Sequence, residues 1–154
     1  MKKIFILLFL VTAVGIKTYS QDYKTSAGLR LGQNSGISVK GFIKDYTAIE
    51  GIFKWQLFHV DMTVLLENHI QAFDVERLYF YYGGGMHIGN PDGESTYHEE
   101  NNLPVIGLDG IVGLEYSFKN APFNISMDCK PSLNLWTHSG FNMDMTAVSI
   151  RYIF

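Results

Sequence analysis

From residue 26 onward, apolar and polar side chains alternate in short runs, with turn-forming residues between the runs. In "SAGLRLGQ", Ala27, Leu29 and Leu31 fall on one face and Gly28, Arg30 and Gly32 on the other, because successive strand side chains point to opposite sides. Asn34-Ser35-Gly36 is a turn, and "ISVKGFI" then sets Ile37 and Val39 opposite Ser38 and Lys40, with the register open at Gly41-Phe42. "TAIEGIFKW" puts Ile49, Phe53 and Trp55 on one face and Glu50, Ile52 and Lys54 on the other. "HVDMTVLLE" opposes Val60, Met62, Val64 and Leu66 to Asp61, Thr63 and Glu67, and "ERLYFYYGGGMHIG" opposes Leu78, Phe80 and Tyr82 to Tyr79 and Tyr81. The run Gly83-Gly84-Gly85 allows that strand a sharp bend. After the polar loop 90–104, "VIGLDGIVGLEYSF" alternates Ile106, Leu108, Val112, Leu114, Tyr116 and Phe118 with Asp109, Glu115 and glycines. "FNISMDCKPSLNLW" sets Phe123, Ile125, Met127 and Cys129 against Asn124, Ser126, Asp128 and Lys130. A final run places Val148, Ile150, Tyr152 and Phe154 opposite Ala147, Ser149 and Arg151. No segment after residue 22 has a helical period.

The pattern predicts an all-β fold of eight strands. Eight spans of about ten residues use ~80 positions, the length a tilted strand needs to cross a bilayer. The rest supplies seven connections, and an even count returns both ends of the barrel to one side. The long loop 90–104 then lies on the opposite side from the short turns "KDY" and "KNAP".

One strand face is nearly all apolar. The other carries Arg30, Lys40, Glu50, Lys54, Asp61, Glu67, Asp109, Glu115, Asp128, Lys130 and Arg151. A soluble barrel would turn the charges to water; a membrane barrel turns them into its lumen. Alternation is the same in both cases. Residues 1–20 remove the cytoplasmic options: Lys2 and Lys3 precede an apolar run from Ile4 to Ile16, then small and polar residues, the outline of a cleaved secretory signal peptide. Cleavage is expected near Ser20–Gln21, leaving residues 21–154 as the barrel domain. Aromatics gather at both strand ends: Tyr46, Tyr116, Phe118, Phe123, Tyr152 and Phe154 at one, Trp55, Phe58, Trp136 and Phe141 at the other. Two such girdles suit the two interfaces of a bilayer.

The last run resembles the C-terminal recognition signal of Gram-negative outer-membrane β-barrels. The segments "AIEGIFKW", "YYGGGMHIG", "IGLDGIVGLEYSF" and "FNISMDCKPSLNL" are similar to small outer-membrane barrel domains of Bacteroidetes type. The resemblance implies an antiparallel, up-and-down transmembrane β-barrel in the cell outer membrane. It further implies that Val148, Ile150, Tyr152 and Phe154 are an assembly signal read by the barrel-assembly machinery. The expected partners are that machinery, outer-membrane lipid and lipopolysaccharide, and the expected state is a monomer.

Composition and candidate chemistry change this picture little. With 12 basic residues, 15 acidic residues and a net charge of −3, the chain lacks the basic excess of a nucleic-acid binder. One cysteine, Cys129, allows no internal disulfide. His138-Ser139 invites a lipid-hydrolase reading, but adjacent strand residues face opposite sides and suit a base–nucleophile pair poorly. His98-Glu99-Glu100 with Asp92 and Glu94 offers oxygen ligands, as would any solvated acidic loop. The glycine run lacks the Lys-Ser/Thr of a phosphate loop, and the sequon at Asn124 lies inside a strand. No catalytic residue, cofactor or metal is expected. The leading function is a non-enzymatic structural or surface-interaction role through the outer loops. The alternatives are an exported soluble lipocalin-like barrel holding an apolar ligand and an outer-membrane lipid-modifying enzyme.

Overall fold

A computed structural model describes residues 23–32, 35–56, 59–73, 75–90, 104–135 and 140–154, without the side chains of residues 56, 59, 140 and 142–145. The proposed signal peptide, Phe58 and Trp136, and the acidic and His-Ser motifs of the loops lie outside the described residues.

Eight strands form: β1 Thr25–Leu31, β2 Gly36–Lys44, β3 Thr47–Gln56, β4 His59–Gln71, β5 Leu78–Gly89, β6 Val105–Ser117, β7 Phe123–Asn134 and β8 Gly140–Ile153. Each pairs antiparallel with the next, and β8 pairs with β1, so the sheet closes on itself in chain order. It is an eight-stranded antiparallel all-β barrel. β1 begins and β8 ends at the same rim, called the terminal rim below. There the Phe154 amide donates to the Thr25 carbonyl (2.8 Å) and the Ile153 amide to the Pro122 carbonyl (2.9 Å).

Side-chain burial is inverted relative to a soluble protein. Among the described residues, nineteen polar or charged side chains are buried against eight apolar ones. Leu29, Ile37, Phe53, Met62, Leu108 and Ile125 instead stand on the outer surface. The small apolar core inside is Ile52, Leu65, Tyr81 and Ile111. An eight-stranded barrel has an interior just wide enough for its own side chains, so the inward face needs space as well as polarity. Glycines on that face provide it. A Cβ on Gly113 would stand 2.6 Å from the Tyr81 ring, and one on Gly85 would meet the β4 backbone at Val64 and Leu65, with the Leu65 Cα at 2.8 Å.

The open register at Gly41-Phe42 resolves with Phe42 turned inward and a shift between Phe42 and Lys44. A second irregularity falls between Asp128 and Lys130, next to Pro131. Proline has no N–H to give a ladder, and bulges accommodate it. The β6–β7 rungs accordingly skip from Asp109–Ser132 to Val112–Cys129.

Candidate functional site

Among the described residues, the lumen is where this fold gathers its charged and polar side chains. Strand phase turns all eleven charged positions of the sequence pattern toward it, and all are buried except Asp61, which is half-buried. They pair across strands in three layers.

Near the rim opposite the termini, His87 on β5 lies 2.7 Å by Nδ1 from an Asp109 oxygen, and Lys130 on β7 donates to the other oxygen of that carboxylate. The second ring nitrogen of His87 is 3.1 Å from the Asn134 side-chain oxygen. On the neighbouring wall the Thr63 hydroxyl donates to Asp61 at 3.0 Å. Lys54 stands opposite Asp61 on the β3–β4 rung.

In the middle layer the Arg30 guanidinium grips Asp128 with two nitrogens, at 2.7 and 2.5 Å. Such a two-pronged geometry is the strong form of the charged hydrogen bond. Tyr81 adds a third donor to the same carboxylate at 2.9 Å.

The third layer is the densest. Lys40 Nζ stands 2.8 Å from Glu67, 3.2 Å from Glu115 and 3.3 Å from Glu50, and 4.2 Å over the Tyr81 ring. Arg151 reaches Glu50 at 2.6 Å, Ser38 at 2.7 Å and Ser126 at 2.7 Å, with Glu115 at 3.4 Å. Ser38 donates to Glu50, and a His69 ring nitrogen lies 3.2 Å from Glu67. Three carboxylates thus enclose two cations at full burial, where charges persist only when paired. Tyr23, just ahead of β1, donates its hydroxyl to Glu115. Burial, reinforced by that carboxylate, pushes the hydroxyl well above the usual tyrosine range.

Several of these residues escape a reading of the sequence. His69 and His87 share the inward phase of Glu67 and Tyr81, so extending the alternation beyond Glu67 on β4 and Tyr81 on β5 finds both. Asn134 follows similarly from Lys130 if the phase is kept past Pro131. Tyr23 precedes the alternation, and no periodic signal marks it.

The four positions read as an assembly signal lie on the outer face of β8: Ile150, Tyr152 and Phe154 are exposed and Val148 is half-buried. Tyr152 meets Phe123 edge-on at 5.4 Å and Phe154 at 5.1 Å, and Tyr116 meets Phe118 at 5.2 Å on the same rim. Trp55 and Phe141 stand exposed at the other rim. Cys129 is half-buried on the outer face, in a groove of about 610 Å³ lined mainly by Phe73, Phe80, Val112, Leu114 and Met127. Among the described residues no group of three or more His, Cys, Asp or Glu converges for a metal ion.

No protein-family model matches the chain. No curated protein matches it either. Among solved structures it is similar to the N-terminal β-barrel domain of Pseudomonas aeruginosa OprF. The TM-score is 0.62 at 14% identity, covering 84% of this chain and 95% of that domain. At that identity the likeness is one of fold.

Proposed function

We propose that this chain is a small outer-membrane β-barrel protein, non-enzymatic, with a structural or surface-interaction role carried by the connections at the rim opposite its termini. One observation carries the reading: the barrel is apolar outside and ion-paired inside. A soluble barrel would leave Leu29, Phe53, Met62, Leu108, Ile125 and their neighbours in water, a contiguous belt far beyond the few hundred Å² that soluble monomers expose. A bilayer removes that cost. Strand length agrees: 13 residues of β4 rise ~43 Å along the strand and, tilted ~40°, span ~33 Å, enough for the hydrocarbon core. The likeness to the OprF barrel is one of fold and agrees with the closed barrel this reading needs.

In this arrangement the terminal rim faces the periplasm and the long connection 90–104 faces outward. Outer-membrane lipid and lipopolysaccharide cover the apolar belt, and the barrel stands as a monomer because closure leaves no strand edge to pair. Residues 1–20 act as the export signal. Val148, Ile150, Tyr152 and Phe154 present the recognition signal to the barrel-assembly machinery, a role that fails if a chain lacking Phe154 reaches the outer membrane at the level of the intact chain. The lipocalin-like alternative loses support, because the interior of described residues is filled by ion pairs and not lined for an apolar ligand.

The test is purification with and without detergent, followed by gels of unheated and boiled samples. The expected result is a monomer that stays soluble only in detergent and runs faster unheated than boiled. A detergent-free soluble monomer would overturn the reading.

A further inference from the structure

A residue that belongs to no strand is buried at the terminal rim. Tyr23 lies two positions ahead of β1 and yet is only 6% exposed. Its ring meets Phe42 edge-on at 5.1 Å, Phe42 meets His69 at 4.9 Å, and His69 stacks on Tyr81 at 5.2 Å with 13° between the planes. Four rings thus form one column from the rim to the middle of the barrel, with Tyr23 as its outermost member and its hydroxyl on Glu115.

Something at this rim must also cover Ser26, Ser117 and Asn124. Ser26 is the second residue of β1, Ser117 the last of β6 and Asn124 the second of β7, so all three lie at strand ends beside the terminal mouth. Side chains so near an open mouth would be wet, yet all three have no exposed surface. Their polar atoms (both hydroxyls and both ends of the amide) find no protein partner. Buried polar groups without a protein partner gain by contact with water, which favours a mouth that can open.

We propose that Tyr23 is a detachable cork that shuts the terminal mouth of the lumen over Ser26, Ser117 and Asn124. The attachment is slight. The first rung between β1 and β2 is Thr25–Gly41, and before it the segment is tied by one backbone bond, from the Phe42 amide to the Lys24 carbonyl at 2.9 Å. Withdrawing Tyr23 breaks that bond, the ring contact and the bond to Glu115, and no rung of the barrel. Access from the terminal side is therefore set by Tyr23 and Lys24, which can detach while the rungs of the barrel stay intact.

The proposal goes beyond the membrane reading and is tested in detergent micelles, so it stands or falls independently of cellular location. Ser26→Cys is introduced together with Cys129→Ser, and the folded barrel is exposed to 2-(trimethylammonium)ethyl methanethiosulfonate. With Tyr23 in place the new thiol is expected to react slowly. With Tyr23→Ala it should react on the order of tenfold faster, equivalent to about 1.4 kcal/mol less opening cost, while Tyr23→Phe keeps the ring and stays slow. Faster migration of unheated samples confirms that each variant is folded. Should Tyr23→Ala fail to fold, Tyr23→Leu, too short to reach Glu115, is read in the same way. Fast labelling with Tyr23 present, an unchanged rate in the truncated variant, or a rate in Tyr23→Phe as high as in Tyr23→Ala would each overturn the cork.

Discussion

At the scale of single residues, Lys40 shows what holds the lumen together. Its ammonium is fully buried, with Glu67, Glu115 and Glu50 all within 3.3 Å. Taking such charges out of water is expensive, and their mutual attraction is what makes the arrangement tolerable. Removing one partner is therefore worse than removing a pair. Lys40→Met should cost about 3–5 kcal/mol because Glu67 then loses its cation while Arg151 is left to serve Glu50 and Glu115. Lys40→Met with Glu67→Gln should recover part of that loss, since residues of one network couple by ~0.5–3 kcal/mol. Lys119→Met, at an exposed turn position, should change stability by no more than about 0.5 kcal/mol. Urea unfolding in micelles measures all three, and equal midpoints for Lys40→Met and Lys119→Met would contradict the buried network.

At the scale of strands, the same alternation that made the fold legible also marks where it was not. The charged residues from Arg30 to Arg151 could be assigned to one face because strand phase has period two and needs no knowledge of partners. Phase separates inward from outward glycines but gives no distance to what lies beyond them. Gly84 and Gly85 are adjacent and chemically identical, but a Cβ on Gly84 would come no closer than 3.4 Å to the Asp109 carbonyl, an ordinary contact. On Gly85 it would drive into the β4 backbone. Gly84→Ala should thus be near neutral, within ~0.5 kcal/mol, and Gly85→Ala should cost roughly 1–3 kcal/mol as overpacking. Similar losses in thermal or urea unfolding would show that the close approach at Gly85 is not there. Tyr23 was illegible for another reason: its position depends on a ring column assembled from β2, β4 and β5, which no local pattern encodes. The bulge beside Cys129 lies between these cases, since Pro131 announces an interrupted ladder but not which residue is displaced. Strand depth gives a further expectation. Val148, several residues inside β8, should tolerate Arg poorly, at ~2–4 kcal/mol near the bilayer midplane, whereas Ile43 at the end of β2 should lose only ~0–1 kcal/mol. Folding into vesicles measures the difference, and equal tolerance would argue against a membrane around the barrel.

For the whole molecule, the question is whether a closed cylinder of eight strands lets anything through. Such a barrel encloses little more than its own side chains, and here those side chains are bonded from strand to strand in successive layers. His87, Asp109 and Lys130 tie β5, β6 and β7 together at one level, and Arg30 and Asp128 tie β1 to β7 at the next. Arg151, Glu50, Lys40, Glu67 and Glu115 then join five strands below them. A permeating cation would have to compete with Lys40 for three carboxylates that already surround it, and an anion would have to displace Glu50 and Glu115 from Arg151. Either exchange strips an ion of water in a space that offers no freed partner in return. The wild-type barrel in a planar bilayer should therefore show no steady conductance, at high salt as at low, because screening acts weakly on pairs so deeply buried. Lys40→Met should not convert it into a steady pore either, since Arg151 on β8 still joins Glu50 on β3 to Glu115 on β6. Uniform, long-lived conductance steps from the wild-type protein would show that the layers part together in the membrane, and the lumen would then be a pathway instead of a plug.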